Sequence, residues 1–330
     1  MSLLKVENLS VGYKTKKGVF NAVNNISFSI EQGRSLGFVG ESGCGKTTIG
    51  MTLMGLLPEN ASVLQGDIFF NGSNLVHFND KQWKNFQGKE MSMIFQAAMN
   101  AMNPVIRVDE QIMESIEVHS PGMSKNEMYK KVEKLFNMVG IDKERLKNFP
   151  HQYSGGMKQR AVIAMALACN PKLIIADEPT TALDVIVQDQ ILKEIKKIQR
   201  EMKTSVIFIS HDIAVVADVC EDICVMYGGK IVEKGKREEV FKNPCHPYTR
   251  TLLASYLSLD SDKNIKIHKI ENPPDLVTLT NGCSFADSCN YKSKSCKTHN
   301  PDWISLSDTH HTFCFKDTLN MLNRDNSDGK

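Results

Sequence analysis

The sequence predicts an α/β fold: a parallel sheet carrying a phosphate-binding loop, with a small cysteine-rich appendage at the C-terminal end. Three observations predict it. Two wholly apolar runs, at 173–176 and 206–209, flank a long helical pattern at Val185–Met202, and strand–helix–strand spacing of this length indicates a buried parallel sheet. A glycine-rich stretch, Gly40-Glu41-Ser42-Gly43-Cys44-Gly45-Lys46-Thr47, follows a third apolar run at 34–39 and opens a helix. Beyond about residue 250 the texture turns polar, and four of the nine cysteines crowd into one short stretch.

The elements follow in order. Val6, Leu9, Val11 and Tyr13 lead into a lysine-rich turn, and Ile26, Phe28 and Ile30 alternate with polar residues as a half-buried strand requires. The glycine-rich stretch runs into a predicted helix at 46–57. Ile68-Phe69-Phe70 meets Asn71-Gly72, a hairpin-turn pair. A strand is expected at 91–95. In the middle, Ser124 and Glu127 fit a capping box, and Tyr129, Val132, Leu135, Phe136 and Val139 form an apolar helical face that stops at Gly140. A further apolar helix is expected over 161–168. The runs at 224–227 and 230–232, joined by Gly228-Gly229, read as a closing hairpin. Each nucleotide-binding motif occurs once, with no internal repeat.

Composition is that of an ordinary globular protein, 41% hydrophobic and 24% charged, and 330 residues accommodate one large domain and an appendage. A formal net charge of +2 gives no whole-chain reason to expect nucleic acid. No apolar run approaches the roughly 20 residues of a membrane helix, and the N-terminus lacks a secretory pattern. The expectation is an intracellular chain that meets a membrane only through partners.

The 40–47 stretch fits G-x-x-x-x-G-K-[ST]. Its glycines let backbone N–H groups turn inward around a phosphate, and the following helix N-terminus adds partial positive charge. Lys46 would reach the β- and γ-phosphates of ATP, and the Thr47 hydroxyl would hold Mg²⁺. The apolar strand at 173–176 delivers Asp177 and Glu178 to its C-terminal end, where α/β folds place ligands. Asp177 would orient Mg²⁺ and Glu178 would polarise the attacking water as general base. Alone, such a pair also ends ordinary buried strands; beside a phosphate loop it gains meaning.

At Tyr153-Ser154-Gly155-Gly156-Met157-Lys158-Gln159-Arg160 the chain resembles the signature motif of ATP-binding subunits of ABC transporters, usually written LSGGQ, with Tyr and Met at its outer positions. Read without that resemblance, Ser-Gly-Gly is a helix cap. The remaining family motifs stand in family order. Gln96 resembles the Q-loop glutamine that contacts Mg²⁺ and senses the membrane partner. Ala182-Leu183-Asp184 resembles the D-loop of the dimer interface, and His211 the switch histidine at the γ-phosphate. Tyr13 stands where the family stacks an aromatic ring on adenine. Taken singly, Gln96 and Tyr13 read more readily as ordinary surface or core residues, and His211 as a helix-entry residue. The resemblance implies nucleotide contacts from Tyr13, Gly40, Ser42, Gly43, Cys44, Gly45, Lys46, Thr47, Thr48, Asp177, Ser154, Gly155, Gly156 and Asp184. It assigns catalysis to Glu178, His211 and Gln96, and Mg²⁺ to Thr47 and Gln96.

Two stretches narrow the resemblance. The segment from Gln96 through Asn103-Pro104 to Val108 is similar to peptide importers. So is Asn243-Pro244-Cys245-His246-Pro247-Tyr248-Thr249 with Leu252-Leu253, which ends the ATPase domain in dipeptide and oligopeptide importer subunits. The fold implied is an ABC nucleotide-binding domain, a P-loop NTPase core with antiparallel β and helical subdomains, over 1–250, with the helical subdomain at about 100–165. Residues 251–330 form the peptide-importer extension. The implied partners are a second, related ATP-binding subunit, two membrane permeases and, indirectly, an extracytoplasmic peptide-binding protein, with this chain peripheral at the cytoplasmic membrane face. Nickel importers share the branch. A soluble ABC protein of translation or repair, or an iron–sulfur regulatory protein, are rivals from other classes. The first lacks its second module or coiled coil here.

The spacing Cys283-x5-Cys289-x6-Cys296, then Cys314, supplies four thiolates for Zn²⁺ or an iron–sulfur cluster, and the absence of a CxxC pair counts against a zinc ribbon. The resemblance implies a [4Fe–4S] cluster, with zinc as the alternative; unliganded thiols in a tail are the other reading. His310 and His311, adjacent and near the terminus, read as exposed.

Overall fold

The computed structural model describes residues 2–16, 18–96, 102–181, 183–257 and 282–328. The polar stretch at 258–264, the Pro273-Pro274 pair, Ala182 and the residues at 97–101 lie outside them. The chain begins with β1 (Ser2–Thr15) and β2 (Gly18–Glu31), whose alternating burial matches the predicted half-buried strands. Asn8 and Asn25 adopt positive φ within these strands, and their N–H groups donate to Ser27 Oγ and Ser10 Oγ, both at 2.9 Å. Then come β3 (Ser35–Val39), α1 (Lys46–Leu53), β4 (Ala61–Phe70), β5 (Ser73–Asn74), α2 (Asp80–Phe86) and β6 (Met91–Ile94). Helix α1 stops four residues before its predicted end at 57, because Met54 caps it and Gly55 turns away at φ 65°. The Asn71-Gly72 turn joins β4 and β5 as an antiparallel pair.

The middle supplies α3 (Val108–His119), α4 (Lys125–Met138) and α5 (Gly155–Ala166). The capping box forms as predicted: Glu127 N–H donates to Ser124 Oγ at 3.3 Å while Glu127 Oε2 accepts from Ser124 N–H at 2.9 Å. Helix α5 begins six residues before the apolar run at 161–168 and ends at Ala166, because Ser154 supplies its cap. The chain continues with β7 (Leu173–Asp177), α6 (Val185–Met202), β8 (Ser205–Ser210), α7 (Ile213–Val219), β9 (Asp222–Tyr227), β10 (Lys230–Lys236), α8 (Arg237–Lys242) and α9 (Pro247–Leu257). The C-terminal part adds α10 (Ser295–Thr298), β11 (Trp303–Ser305), β12 (His311–Phe313) and α11 (Lys316–Asp328).

The chain divides into two compact units. The first holds Met1–Leu4, Ile30–Ser35 and His77–Phe208. Within it β6 and β7 pair in parallel, Met91 against Leu173 through Ile94 against Ala176, and all eight of these paired residues are buried, as the apolar runs require. Helices α3, α4 and α5 pack on one another, with Ile112 and Ile116, Val132 and Phe136, and Ile163 in the core. Helix α6 buries the stripe Ile191, Leu192, Ile195 and Ile198, the i, i+4, i+7 spacing of one helical face. Arg160 ties α5 to its neighbours: one guanidinium nitrogen donates to Val139 carbonyl at 2.9 Å and ion-pairs with Glu194, and the other reaches Gln190 Oε1 at 3.3 Å.

The second unit holds Lys5–Ser29, Leu36–Val76 and Ile209–Lys330. Here β3 and β9 pair in parallel, β9 and β10 form the predicted antiparallel hairpin, and β10, β12 and β11 follow in antiparallel order. Two short strands of the C-terminal part thus continue the sheet of the hairpin: Thr312 stands opposite Glu233 and His311 opposite Lys234.

Candidate functional site

The predicted phosphate loop, residues 40–47, belongs to the second unit, between β3 and α1. Its backbone demands glycine at two positions. Gly40 has φ 156° and a Cβ there would lie 2.1 Å from the Met226 carbonyl; Gly45 has φ 104° and its Cβ would meet the Ala22 carbonyl at 2.3 Å. Gly45 is also the left-handed residue directly before α1, with no side-chain cap, so the first-turn N–H groups face outward from the helix end. Lys46 is 5% exposed, and its ammonium donates to the carbonyls of Gly40 and Glu41 at 2.7 and 2.8 Å, with Cys44 Sγ at 3.5 Å. A buried cation is thereby held against the loop's own carbonyls. Cys44 N–H closes the turn on Glu41 carbonyl at 3.3 Å, and burial pushes the Cys44 thiol up, against the pull of Lys46.

Thr47 and Thr48 occupy the first turn of α1. The Tyr13 hydroxyl lies 3.3 Å from Thr48 Oγ1, and its ring, half-buried, stacks on Phe20 with centroids 5.5 Å apart and planes 13° off parallel. One face of the Tyr13 ring is therefore taken by Phe20. His211 is exposed just past β8, and Asp212 caps α7 by accepting from Ala214 N–H at 2.8 Å.

The first unit holds the acidic pair, Gln96, and the Ser-Gly-Gly segment. Asp177 ends β7 and is buried; Glu178 follows at φ 45°, a left-handed conformation that costs a non-glycine residue about 1 kcal/mol or more. Its carboxylate Oε2 accepts from Gln96 Nε2 at 3.1 Å and from Thr181 Oγ1 at 2.9 Å, so strained backbone and two side-chain donors together fix where Glu178 points. The sequence motifs of Gln96 and Glu178, 82 residues apart, meet in one hydrogen bond.

Ser154 is exposed and caps α5, accepting from Met157 N–H at 3.3 Å, while Tyr153 is buried and donates to Arg145 carbonyl at 2.8 Å. The cap reading of Ser-Gly-Gly thus holds as local structure, and the segment is also an exposed helix N-terminus. Asp184 is likewise a cap, accepting from Val187 N–H at 2.9 Å to start α6. A Cβ on Gly156 would stand 2.8 Å from Val187 Cγ1, so glycine there lets the starts of α5 and α6 approach. Residues missed from sequence support this unit. Gln111 clamps the Asn103-Pro104 turn, accepting from Asn103 N–H at 2.9 Å and donating to the carbonyls of Asn103 and Ile106. A long side chain buried on a helix gives no sequence signal for such a role.

The four C-terminal cysteines all lie in the second unit. Burial pushes the Cys289 thiol up to about 11 and the Cys314 thiol to about 12, and thiol neighbours add to each: Cys283 and Cys296 on Cys289, and all three others on Cys314. Cys283 is raised by burial and by Cys296. Backbone N–H groups two or fewer residues on, at Phe285, Tyr291 and Phe315, point at the sulfurs of Cys283, Cys289 and Cys314, and Ser293 N–H reaches Cys296 Sγ at 3.4 Å. Among the described residues no three of these sulfurs lie within 4.8 Å of one another.

His310 corrects the expectation of exposure. It is only 4% exposed, because its Nε2 meets the wholly buried Glu233 carboxylate at 2.7 Å and β12 seats it on β10. Glu233 Oε1 also accepts from Cys245 N–H and Oε2 from His246 N–H, at 2.9 and 2.8 Å. No helix among the described residues is long and apolar enough to cross a membrane.

Comparison with known proteins matches the ABC transporter family pattern over residues 23–181, and the oligopeptide/dipeptide transporter C-terminal region over residues 232–296. The chain is similar to the dipeptide transport ATP-binding protein DppD of Lactococcus lactis, at 43% identity over 310 residues, covering 93% of this chain and 89% of that protein. It is similar to the oligopeptide transport ATP-binding protein OppD of Bacillus subtilis, at 44% identity over 313 residues, covering 94% and 87%. Among solved structures, a dimeric ATP-binding cassette in a post-hydrolysis state bound to ADP and Pi superposes with a TM-score of 0.64 at 27% identity, covering 71% of this chain and 98% of that one.

Proposed function

The chain belongs to the ATP-binding subunits of ABC transporters, in the branch of the dipeptide and oligopeptide transport proteins, and from that membership we propose that it hydrolyses ATP to energise peptide import through a membrane transporter. The observation that carries the ATPase reading is the phosphate loop: two glycines that no other residue can replace without collision, a buried Lys46, and a helix start behind them. The C-terminal family match at residues 232–296 carries the peptide branch.

The loop residues Gly40, Ser42, Gly43, Cys44, Gly45, Lys46, Thr47 and Thr48 bind the ATP phosphates, with Thr47 on Mg²⁺ and Tyr13 beside the adenine. Asp177 and Gln96 serve the Mg²⁺, and Glu178 is the general base. The strained φ of Glu178 and its bond from Gln96 support that role, since strain of this kind persists where a side chain must be aimed. His211 attends the γ-phosphate. Ser154, Gly155 and Gly156 present an anion-binding helix start to ATP held by another ATP-binding subunit, and Asp184 lies at that interface. The exposure of Ser154 and Gly155 supports this reading.

We divide the chain into the ATPase domain at 1–250 and the importer extension at 251–330, peripheral at the cytoplasmic membrane face beside two permeases and a related ATP-binding subunit, with an extracytoplasmic peptide-binding protein delivering cargo. Cys283, Cys289, Cys296 and Cys314 hold a [4Fe–4S] cluster that pins the extension. The N–H groups aimed at each sulfur suit thiolate ligands.

Uptake of a radiolabelled dipeptide by proteoliposomes holding the assembled transporter tests the transport reading; it should require this subunit and ATP, and ATP-independent uptake would refute it. Anaerobic purification with iron and acid-labile sulfide analysis tests the cluster. Four irons per chain are expected, and a colourless protein with one zinc would exclude the iron–sulfur assignment.

A further inference from the structure

We infer that Tyr248 is a positioning residue of the phosphate loop, through which the segment after residue 282 sets nucleotide affinity. The inference rests on the reading of 40–47 as the ATP-phosphate loop. Tyr248 is wholly buried at the start of α9, and its hydroxyl accepts from Glu41 N–H at 3.0 Å. That N–H shares a peptide unit with the Gly40 carbonyl, which accepts from Lys46 at 2.7 Å. In a trans peptide the carbonyl and N–H point to opposite sides. Tyr248 on one side and Lys46 on the other therefore fix the plane of a single peptide. Glycine at 40 offers little resistance to rotation of that plane, so the hydroxyl is what opposes a flip that would turn the carbonyl away from Lys46.

The position of Tyr248 is in turn set from the C-terminal part. Phe285, between Cys283 and Cys289, packs edge-on against both Tyr248 and Tyr227, with centroids at 5.5 and 5.2 Å, while the Tyr248 and Tyr227 rings lie 4.5 Å apart. The turn preceding α9 is held by its backbone: Tyr248 N–H donates to His246 Nδ1 at 3.1 Å, and Glu233 accepts from Cys245 and His246 N–H. His310, from beside β12, closes on the same carboxylate. Two side chains that follow residue 282, Phe285 and His310, thus brace the residue that braces the loop.

The test uses the full chain. Tyr248→Phe deletes the hydroxyl and keeps the ring; MgATP affinity by calorimetry should weaken about three- to tenfold, the value of one net hydrogen bond. Hydrogen exchange at the Glu41 amide should quicken about tenfold, with the thermal midpoint of the nucleotide-free chain little changed. In the assembled transporter the KM for ATP should rise while kcat stays nearly constant, whereas a merely structural defect lowers kcat through the active fraction. Tyr227→Phe is the control, since its hydroxyl turns to Ser288. Should Tyr248→Phe fail to fold, Phe285→Leu loosens the ring but keeps the hydroxyl, and it should weaken ATP in the same direction. Unchanged affinity and exchange in Tyr248→Phe, or equal weakening in Tyr227→Phe, would overturn the inference. Failure of the unmodified chain to bind ATP would instead sink the phosphate-loop reading.

Discussion

Lys46 shows how one side chain joins folding to function. Its ammonium lies against two loop carbonyls and is almost without solvent, so removing it leaves buried acceptors as well as deleting the phosphate partner we propose. Lys46→Ala should weaken MgATP binding about tenfold to hundredfold, since hydrogen bonds to charged groups contribute about 1.5–3 kcal/mol. Equilibrium binding of a fluorescent ATP analogue checks this, and undiminished binding would remove Lys46 from the site. Much of this scale was legible in the sequence. The glycine spacing announces a backbone that only glycine tolerates, and Gly40 and Gly45 do face carbonyls at about van der Waals overlap. The left-handed Glu178 was not legible, because nothing in a strand ending Asp-Glu-Pro distinguishes a strained residue from a relaxed one. Nor was the burial of His310, whose partner Glu233 lies 77 residues away.

At the scale of elements, the starts of α5 and α6 form a unit made possible by Gly156. An alanine there meets Val187 Cγ1 at 2.8 Å, and a β-branched side chain yields little. Gly156→Ala should therefore displace the first turn of α6, with about 1–3 kcal/mol of overpacking strain. ATP binding to the isolated chain should survive while hydrolysis in the assembled transporter falls, which parallel binding and turnover assays read directly. Element existence followed from periodicity: α4 with its capping box and α6 over Val185–Met202 appear as the pattern dictates. Element ends followed less well. The predicted helix at 46–57 extends past a glycine, and Gly55 at φ 65° turns the chain out. Cap geometry, not hydrophobic pattern, decided that boundary.

At the scale of the whole molecule, the C-terminal part contributes to stability through a buried polar knot whose pH response has a definite sign. Burial pushes His246 down to about 4, against the pull of Glu233. It is neutral when folded, whereas in the unfolded chain it titrates near 6.5. As pH falls through about 6.5 the unfolded state takes the proton first, so stability declines and levels off below about 4. A span of about 2.5 units corresponds to about 3 kcal/mol at most. The thermal midpoint should fall between about pH 7.5 and pH 5, and fall less in His246→Gln; equal slopes would deny His246 the effect. Sequence pattern placed His246 in a recognisable segment but not in this knot, whose members come from three separated parts of the chain.

The central claim is that this chain is an ATPase whose catalysis runs through Glu178 and whose site is completed by a second ATP-binding subunit. The most direct measurement is ATP binding and steady-state hydrolysis by the unmodified chain and Glu178→Gln, each alone and in the assembled transporter. The unmodified chain alone should bind ATP and turn it over slowly, and assembly should raise turnover. Glu178→Gln should bind ATP as tightly in both settings while losing about 10²–10⁴-fold in assembled turnover, the usual contribution of a general base. Full turnover by Glu178→Gln in the assembly, or equal turnover by the unmodified chain with and without its partner, would contradict it.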